Sequence, residues 1–420
     1  MKTFELTADF PTPIVADFET FLAGVEQPTA YLTKAKLTLD RATLHALDGQ
    51  MRTFRTNTHP RTDQECYPLL DLFQRICMAT RMHMPQPGRG ELRMVPTELV
   101  AGFRGLSTCE KYMALLEALW VDVDWSDLGS RSSMFGDEAK AYVPHVFCKL
   151  PIGQAIALSS QKYEGLSMSS FEHQVPQMLS FYGLLACKQD DKATQAWAAF
   201  RKGAVRYTSV KVTEFGHEVF RILKEQQAAA GIPNPLLELF GDAESPEPDE
   251  AERPESPADA EPFFAAFQPL FADGLLKQGF PFMERKTKGG TFVFRVSLGK
   301  ETWRTIAMSG EHTLDDLHMA IQSAFKFDND HLYGFYMDNK RYSKNCYNDS
   351  RGEEGPFADE AVIGQLDVWL HQRFLYIFDF GDQWEFSVEL LEIRDQRHKG
   401  APKILVRMGK SPQQYRDAEW

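Results

Sequence analysis

Three histidines and two aspartates in the last third of the chain, His312, His318, His331, Asp379 and Asp382, are of the residue types that ligate transition metals or carry protons. Imidazole nitrogens and carboxylate oxygens form the donor sets of zinc and manganese sites, and such a site would activate water for hydrolysis. Their spacing matches no standard metal motif, so no catalytic residue, metal ligand or cofactor is assigned from it. Asp379, Phe380 and Gly381 also spell the triplet that holds magnesium in protein kinases, inside "YIFDFGDQWEF". A kinase needs a glycine-rich loop, a strand lysine and an H-R-D loop upstream, and none precedes it. A turn is the simpler reading. In it Gly381 supplies a permissive backbone dihedral, open to positive φ, Asp379 and Asp382 accept backbone amides, and Arg304 is a charge partner for one of them. Tyr376 and Trp384 bracket the turn, where they could stack on a ligand, although aromatic pairs flanking a hairpin usually pack across it. His318 shares a helical face with Leu314, Ile321 and Phe325 and reads as a core-edge histidine, and His331 as a strand-end one. Nothing resembles an activated nucleophile, a phosphate loop or a dinucleotide fingerprint.

The elements that must position these residues follow from patterning. "GTFVFRVSL" alternates as a strand and "TWRTIAMS" as its hairpin partner. Thr313 and Asp316 cap a helix whose Leu314, Leu317, His318, Ile321 and Phe325 line one side. "HLYGFYMD" reads as a strand, the following 22 residues as a polar excursion, "VIGQLDVWL" as a short helix, and "FLYIFDF" and "WEFSVELLEI" as the closing strands. The expected fold is α+β, an antiparallel or mixed sheet with helices on one face.

This order resembles the family named after the third open reading frame of plasmid pRiA4b, which includes transposon passenger proteins. "WRTIAM", "TLDDLHMAIQSAF", "DNDHLYGF" and "YIFDFGDQWEF" carry the resemblance, over roughly residues 285 to 395. It implies a plasmid or mobile-element setting and names no reaction. Members commonly carry a histidine where this chain has Phe386, and many end in a cysteine-containing tail that is replaced here by "RHKGAPKILVRMGKSPQQYRDAEW".

The 420 residues, 43% hydrophobic and 25% charged, suit two or three globular domains. Six cysteines without a C-x-x-C pair suit reduced thiols in a cytoplasm. The first residues lack the apolar core of a signal peptide, and no apolar run approaches the ~20 residues of a membrane span. "GDAESPEPDEAERPESPADAEP" holds nine carboxylates against Arg253, a local charge of −8 that leaves −5 of the total −13 for the rest. Such a segment cannot bury enough surface to order itself, so it reads as a linker. Ahead of it, amphipathic helices over Asp40–Phe54, "YPLLDLFQRICMA" and a third opened by Ser107 and Glu110, with an intervening hairpin and a later strand-to-helix unit, suggest winged-helix-like packing. The expected domains are a winged-helix-like module over 1–105, a second helical module over 106–240, the linker over 241–261 and the α+β domain over 262–420. Lys34, Lys36, Arg41, Arg52 and Arg55 cluster around the first helix as a possible nucleic-acid contact. The expected function is a non-enzymatic cytoplasmic protein that binds a macromolecular partner, protein or DNA, without membrane or small-molecule cofactor. The alternative is a metal-dependent hydrolase or nuclease built on His318, His331, Asp379 and Asp382. Limited proteolysis should cut first between Asp242 and Glu261, and early cleavage within "TLDDLHMAIQSAF" would show the C-terminal domain to be misplaced.

Overall fold

The computed structural model describes residues 2–33, 36–55, 59–87, 91–125, 139–158, 162–163, 166–167, 174–198, 205–230, 261–280, 289–366 and 368–415. The chain divides into two compact units, Met1–Phe282 and Met283–Trp420. All of the expected linker except Glu261 lies outside the described residues.

The first unit contains α1 (Ile14–Val25), α2 (Arg41–Asp48), α3 (Pro68–Ala79), β1 (His83–Pro87), β2 (Leu92–Pro96), α4 (Glu98–Gly105), α5 (Thr108–Glu117) and α6 (Ala139–Phe147). It continues with β3 (Ile156–Ala157), β4 (Lys162–Tyr163), β5 (Leu166–Ser167), α7 (Gln174–Phe181), β6 (Leu185–Gln189), α8 (Asp191–Ala198), β7 (Tyr207–Val212) and α9 (Glu214–Ala229). Ser107 and Glu110 close the capping box expected of them on α5, and Thr213 caps α9 at the strand-to-helix junction. The helix expected through Phe54 stops at Asp48, because the buried Asp17 carboxylate accepts the Arg52 amide at 2.8 Å and draws the chain into a turn.

Two expected boundaries are corrected. One apolar core runs from Phe4 to Leu276, so no division falls at residue 105. Phe18 of α1 meets Phe103 of α4 at 5.3 Å, and the Tyr112 hydroxyl of α5 donates to the Tyr182 carbonyl at 2.6 Å. Nor does the second unit begin at 262. Phe267, Leu270, Phe271 and Leu276 are buried in the first core, and the Phe4 amide donates to the Leu270 carbonyl at 2.8 Å. The apolar run "FFAAFQPLF" is too hydrophobic to stay in solvent, and the first unit supplies its cover.

The second unit is α+β. Its strands are β8 (Thr291–Leu298), β9 (Thr302–Ser309), β10 (Tyr333–Tyr336), β11 (Cys346–Asn348), β12 (Arg373–Phe378), β13 (Trp384–Arg394) and β14 (Lys403–Met408), with α10 (Leu314–Phe325) between β9 and β10. All seven strands form one sheet in the order β11-β10-β12-β13-β8-β9-β14, and every neighbouring pair is antiparallel. The β8–β9 hairpin turns at Gly299, φ +76°, a conformation open to glycine. Thr313 and Asp316 form the expected capping box, and the Leu314, Leu317, His318, Ile321 and Phe325 side of α10 is buried. Two strands lie outside the expectation, β11 and β14, and "VIGQLDVWL", expected as a short helix, holds a 3-10 turn at Ile363–Gln365.

Candidate functional site

The Asp379 turn joins β12 to β13 with Phe378 opposite Trp384 and Tyr376 opposite Phe386. Asp379 Oδ1 accepts the amides of Gly381 at 2.9 Å and Asp382 at 3.2 Å, which is the role expected of it. Asp382 is exposed. The positive φ angles fall on Asp379 (+57°) and Gln383 (+53°), and Gly381 is not among the left-handed residues. Aspartate tolerates that conformation because its short side chain bonds the backbone locally, so the glycine is released from the part assigned to it. A Cβ at Gly381 would meet Asp379 Oδ1 at 3.1 Å, leaving glycine the residue that lets the carboxylate fold back.

Arg304 does not partner the turn. It is buried under β14 and donates to the carbonyls of Ala324 (3.1 Å), Trp303 (2.9 Å) and Met408 (2.6 Å) and to Ser411 Oγ (2.8 Å), with its guanidinium 4.5 Å from the Phe325 ring centre. Burial lowers its pKa, and the nearby Arg407 adds to that. Its three nitrogens together satisfy carbonyls at the ends of α10 and β14 and on β9, and a hydroxyl just past β14, a task for which a planar fork is suited.

Tyr376 and His318 meet inside the core and away from solvent. The Tyr376 hydroxyl lies 2.7 Å from His318 Nδ1 and accepts from Gln322 Nε2 at 2.7 Å, while the His318 ring stacks on Tyr333 at 3.8 Å. With Gln322 donating inward, the tyrosine proton goes to Nδ1. The histidine is therefore bonded to a side-chain hydroxyl and lies fully inside the core rather than at its edge. Burial pushes the His318 pKa down to about 4, opposed in part by the Asn329 side chain and the Asp315 and Asp349 carboxylates. Tyr333 donates to Asp315 at 2.6 Å, and Arg351 holds Asp349 while reaching the His331 carbonyl at 2.6 Å.

His331 itself is exposed, with Nε2 3.5 Å from Asp379 Oδ2. His312 accepts the Ser309 amide at 3.0 Å. Trp384 packs edge-on against Phe327 at 4.9 Å. The sequence-selected residues are thus split between a sealed core and a surface turn, and among the described residues no group of three or more His, Cys, Asp or Glu could hold a metal. In the first unit Lys36 approaches Glu65 at 3.8 Å, Arg41 pairs with Asp63 at 2.8 Å, Arg52 pairs with Asp9, and Arg55 donates to the Met51 carbonyl. Lys34 lies outside the described residues.

On the sheet face away from α10 is a feature the sequence did not disclose. Tyr336, Leu375 and Ile377 form a small second cluster with Cys346 against it. Beside them opens a cleft of about 550 Å³ lined by residues including Tyr336, Tyr342, Lys344, Cys346, Glu354 and Phe380. Phe380 is the middle residue of the kinase-like triplet, and it is 37% exposed, with its ring 6.3 Å from Tyr342. Tyr342 stands over Tyr336 at 5.9 Å because its loop is fastened twice: Asp338 accepts from Ser343 Oγ at 2.6 Å, and Arg341 donates to Glu385 on β13 at 2.8 Å. Tyr342 (φ +55°) and Asn339 (φ +59°) both adopt left-handed backbone to do so. A tyrosine in that region is uncommon and is held there by its surroundings. The one clue in the sequence was an aromatic residue within a polar excursion.

Fold and site together define an α+β sheet domain with a sealed polar network on its helical face and an aromatic cleft on its open face. Residues 291–414, within the C-terminal domain, match the family described as plasmid pRiA4b ORF-3-like protein, and the match extends past β13 to include β14. The crystal structure of protein of unknown function MM3350 from Methanosarcina mazei Go1 is similar at 25% identity and a TM-score of 0.25, covering 30% of this chain and 73% of that one. No curated protein matches the chain. Among the described residues no helix is long and apolar enough to cross a membrane.

Two predictions follow the geometry. Asp379→Ala removes the acceptor of two amides and leaves a strained φ, and should cost about 2 to 3 kcal/mol in urea unfolding; Asp379→Asn and Gly381→Ala should each cost about 1 kcal/mol. The reverse ranking would return the left-handed role to the glycine. His318, with a folded pKa below its ordinary 6.5, leaves the unfolded chain binding the extra proton between pH 6.5 and about 4, so stability falls with pH through that window. Over it the parent protein should lose on the order of 3 kcal/mol more than His318→Gln, and equal slopes would show that the ring is not held neutral.

Proposed function

We propose that the protein is a non-enzymatic accessory of plasmid or mobile-element type, whose C-terminal domain binds a protein partner by receiving an apolar or aromatic side chain in the Tyr336–Tyr342–Phe380 cleft. The observation that carries this reading is the open aromatic cleft itself, held ready by a loop with two left-handed residues. Aromatic side chains around an open surface cleft supply contact area at low entropic cost, and tyrosine is enriched at protein interfaces for that reason. A hydrolase would need converging, solvent-accessible acid, base or metal-ligating groups, whereas His318 and Tyr376 are fully buried and bonded to each other. Protein is preferred to DNA because Lys36, Arg41 and Arg52 each face a carboxylate, and the chain carries a charge of −13.

Photocrosslinking from the cleft rim tests the proposal. Lys344→p-benzoylphenylalanine, expressed in the native cell, should give discrete protein adducts. Tyr342→Ala and Phe380→Ala should reduce them about tenfold or more while leaving stability within about 0.5 kcal/mol. A manganese-dependent phosphodiesterase activity lost in His331→Ala and Asp379→Asn, at unchanged melting temperature, would overturn it in favour of the hydrolase.

A further inference from the structure

The two edges of the seven-stranded sheet are treated differently. At one edge β11 is covered by its own chain: the Asn348 amide donates to the Pro356 carbonyl and the Ala358 amide to the Asn348 carbonyl, both at 2.8 Å. At the other edge β14 pairs with β9 only, and among the described residues no backbone hydrogen bond joins 403–408 to anything else. An uncovered edge offers a row of unpaired amides and carbonyls to any extended chain.

The side chains of β14 set what that chain can be. Leu405, Val406 and Met408 are 41%, 48% and 53% exposed, an apolar strip on a strand that the core barely covers. Lys403, Arg407 and Lys410 surround it, and among the described residues none of the three pairs with a carboxylate. Each copy of the edge is therefore a cationic ribbon. Two such ribbons repel each other, and the bulge between Ile404 and Val406 further disfavours pairing of identical edges. Both are devices that keep a bare edge from self-association, and both leave it open to a strand of opposite charge.

The strand is also anchored for such a load. The Met408 carbonyl is fixed by the buried Arg304, which also binds the end of α10, so the edge is tied into the core and does not fray as a free tail. We propose that β14 is an augmentation edge that accepts an extended acidic peptide from another protein as an eighth strand. Its backbone would complete the ladder, its apolar residues would cover Leu405, Val406 and Met408, and its carboxylates would meet Lys403, Arg407 and Lys410. This site is at the opposite end of the sheet from the aromatic cleft and does not depend on it.

A fluorescein-labelled octapeptide of alternating valine and glutamate, titrated into the full-length protein and followed by anisotropy, tests the inference. It should bind, weaken as salt rises from 50 to 500 mM, and lose about tenfold or more in affinity in the Lys403→Glu/Arg407→Glu double variant. That variant should instead take up the corresponding valine–lysine octapeptide. Both substitutions are at exposed positions, so an unchanged melting temperature separates lost binding from lost fold. Failure of the parent to bind the acidic peptide, or equal affinity in the charge-reversed variant, overturns the proposal. So does a duplex oligonucleotide that binds β14 in competition with the peptide, which would make the edge a phosphate contact. Concentration-dependent dimerisation abolished by Val406→Pro would assign it to a second copy of the chain and overturn the proposal as well.

Discussion

One buried hydroxyl organises the C-terminal domain. β12 runs through the sheet with Phe374, Leu375, Tyr376, Ile377 and Phe378 all buried, so the Tyr376 oxygen is a polar atom in the middle of a hydrocarbon layer. Leaving it unpaired would cost on the order of 1 to 3 kcal/mol, and water is not at hand to satisfy it. Only α10 can reach it, through two side chains four residues apart, His318 and Gln322, which project from one helical face. The hydroxyl therefore fixes both the rotation and the axial position of the helix over the sheet. Stacking of His318 on Tyr333 then carries that constraint to β10, and the Tyr333 hydroxyl carries it back to Asp315 in the first turn of α10.

Setting the helix in this way decides which sheet face remains open. α10 covers the Phe374, Tyr376 and Phe378 side, so alternation along β12 sends Leu375 and Ile377 to the other side, where they meet Tyr336. The turn after Phe378 must reverse the chain without adding another helix-facing residue. Asp379 does this by bending its carboxylate back onto two amides, which leaves Phe380 at the rim of the cleft. The same sequence triplet that resembles a magnesium site is thus a device for reversing a buried strand and presenting an aromatic ring.

How much of this could be read beforehand follows from how local each cause is. Thr313, Asp316 and the apolar side of α10 were legible because capping and helical period are properties of neighbouring residues. β14 was not, since "KILVRM" runs three apolar residues in succession and shows no alternation to mark it as a strand. The partners of Arg304 are three carbonyl oxygens and a hydroxyl, three of the four lying 20 to 107 residues away, whereas a sequence suggests only the nearest carboxylate. Gly381 attracted the left-handed conformation by its residue type, yet the hydrogen bonds that make Asp379 adopt it depend on the turn already being formed. The boundary expected at 262 failed for a related reason. Composition identified the acidic segment, but it could not say that the phenylalanine-rich run beyond it packs back into the preceding core.

The absence of readable chemistry has a physical counterpart. A catalytic group must be both perturbed and accessible, because a shifted proton affinity is useful only where a substrate can meet it. In this domain the largest shifts fall on buried groups. The strongly perturbed groups, His318, Tyr333 and Tyr376, owe their shifts chiefly to burial and spend their hydrogen bonds on one another and on Gln322 and Asp315. Among the accessible groups are aromatic rings around a cleft and cations along an edge strand, beside the exposed His331 and Asp382. The sheet thus places its most perturbed titratable groups under the helix and leaves aromatic and basic side chains in the open.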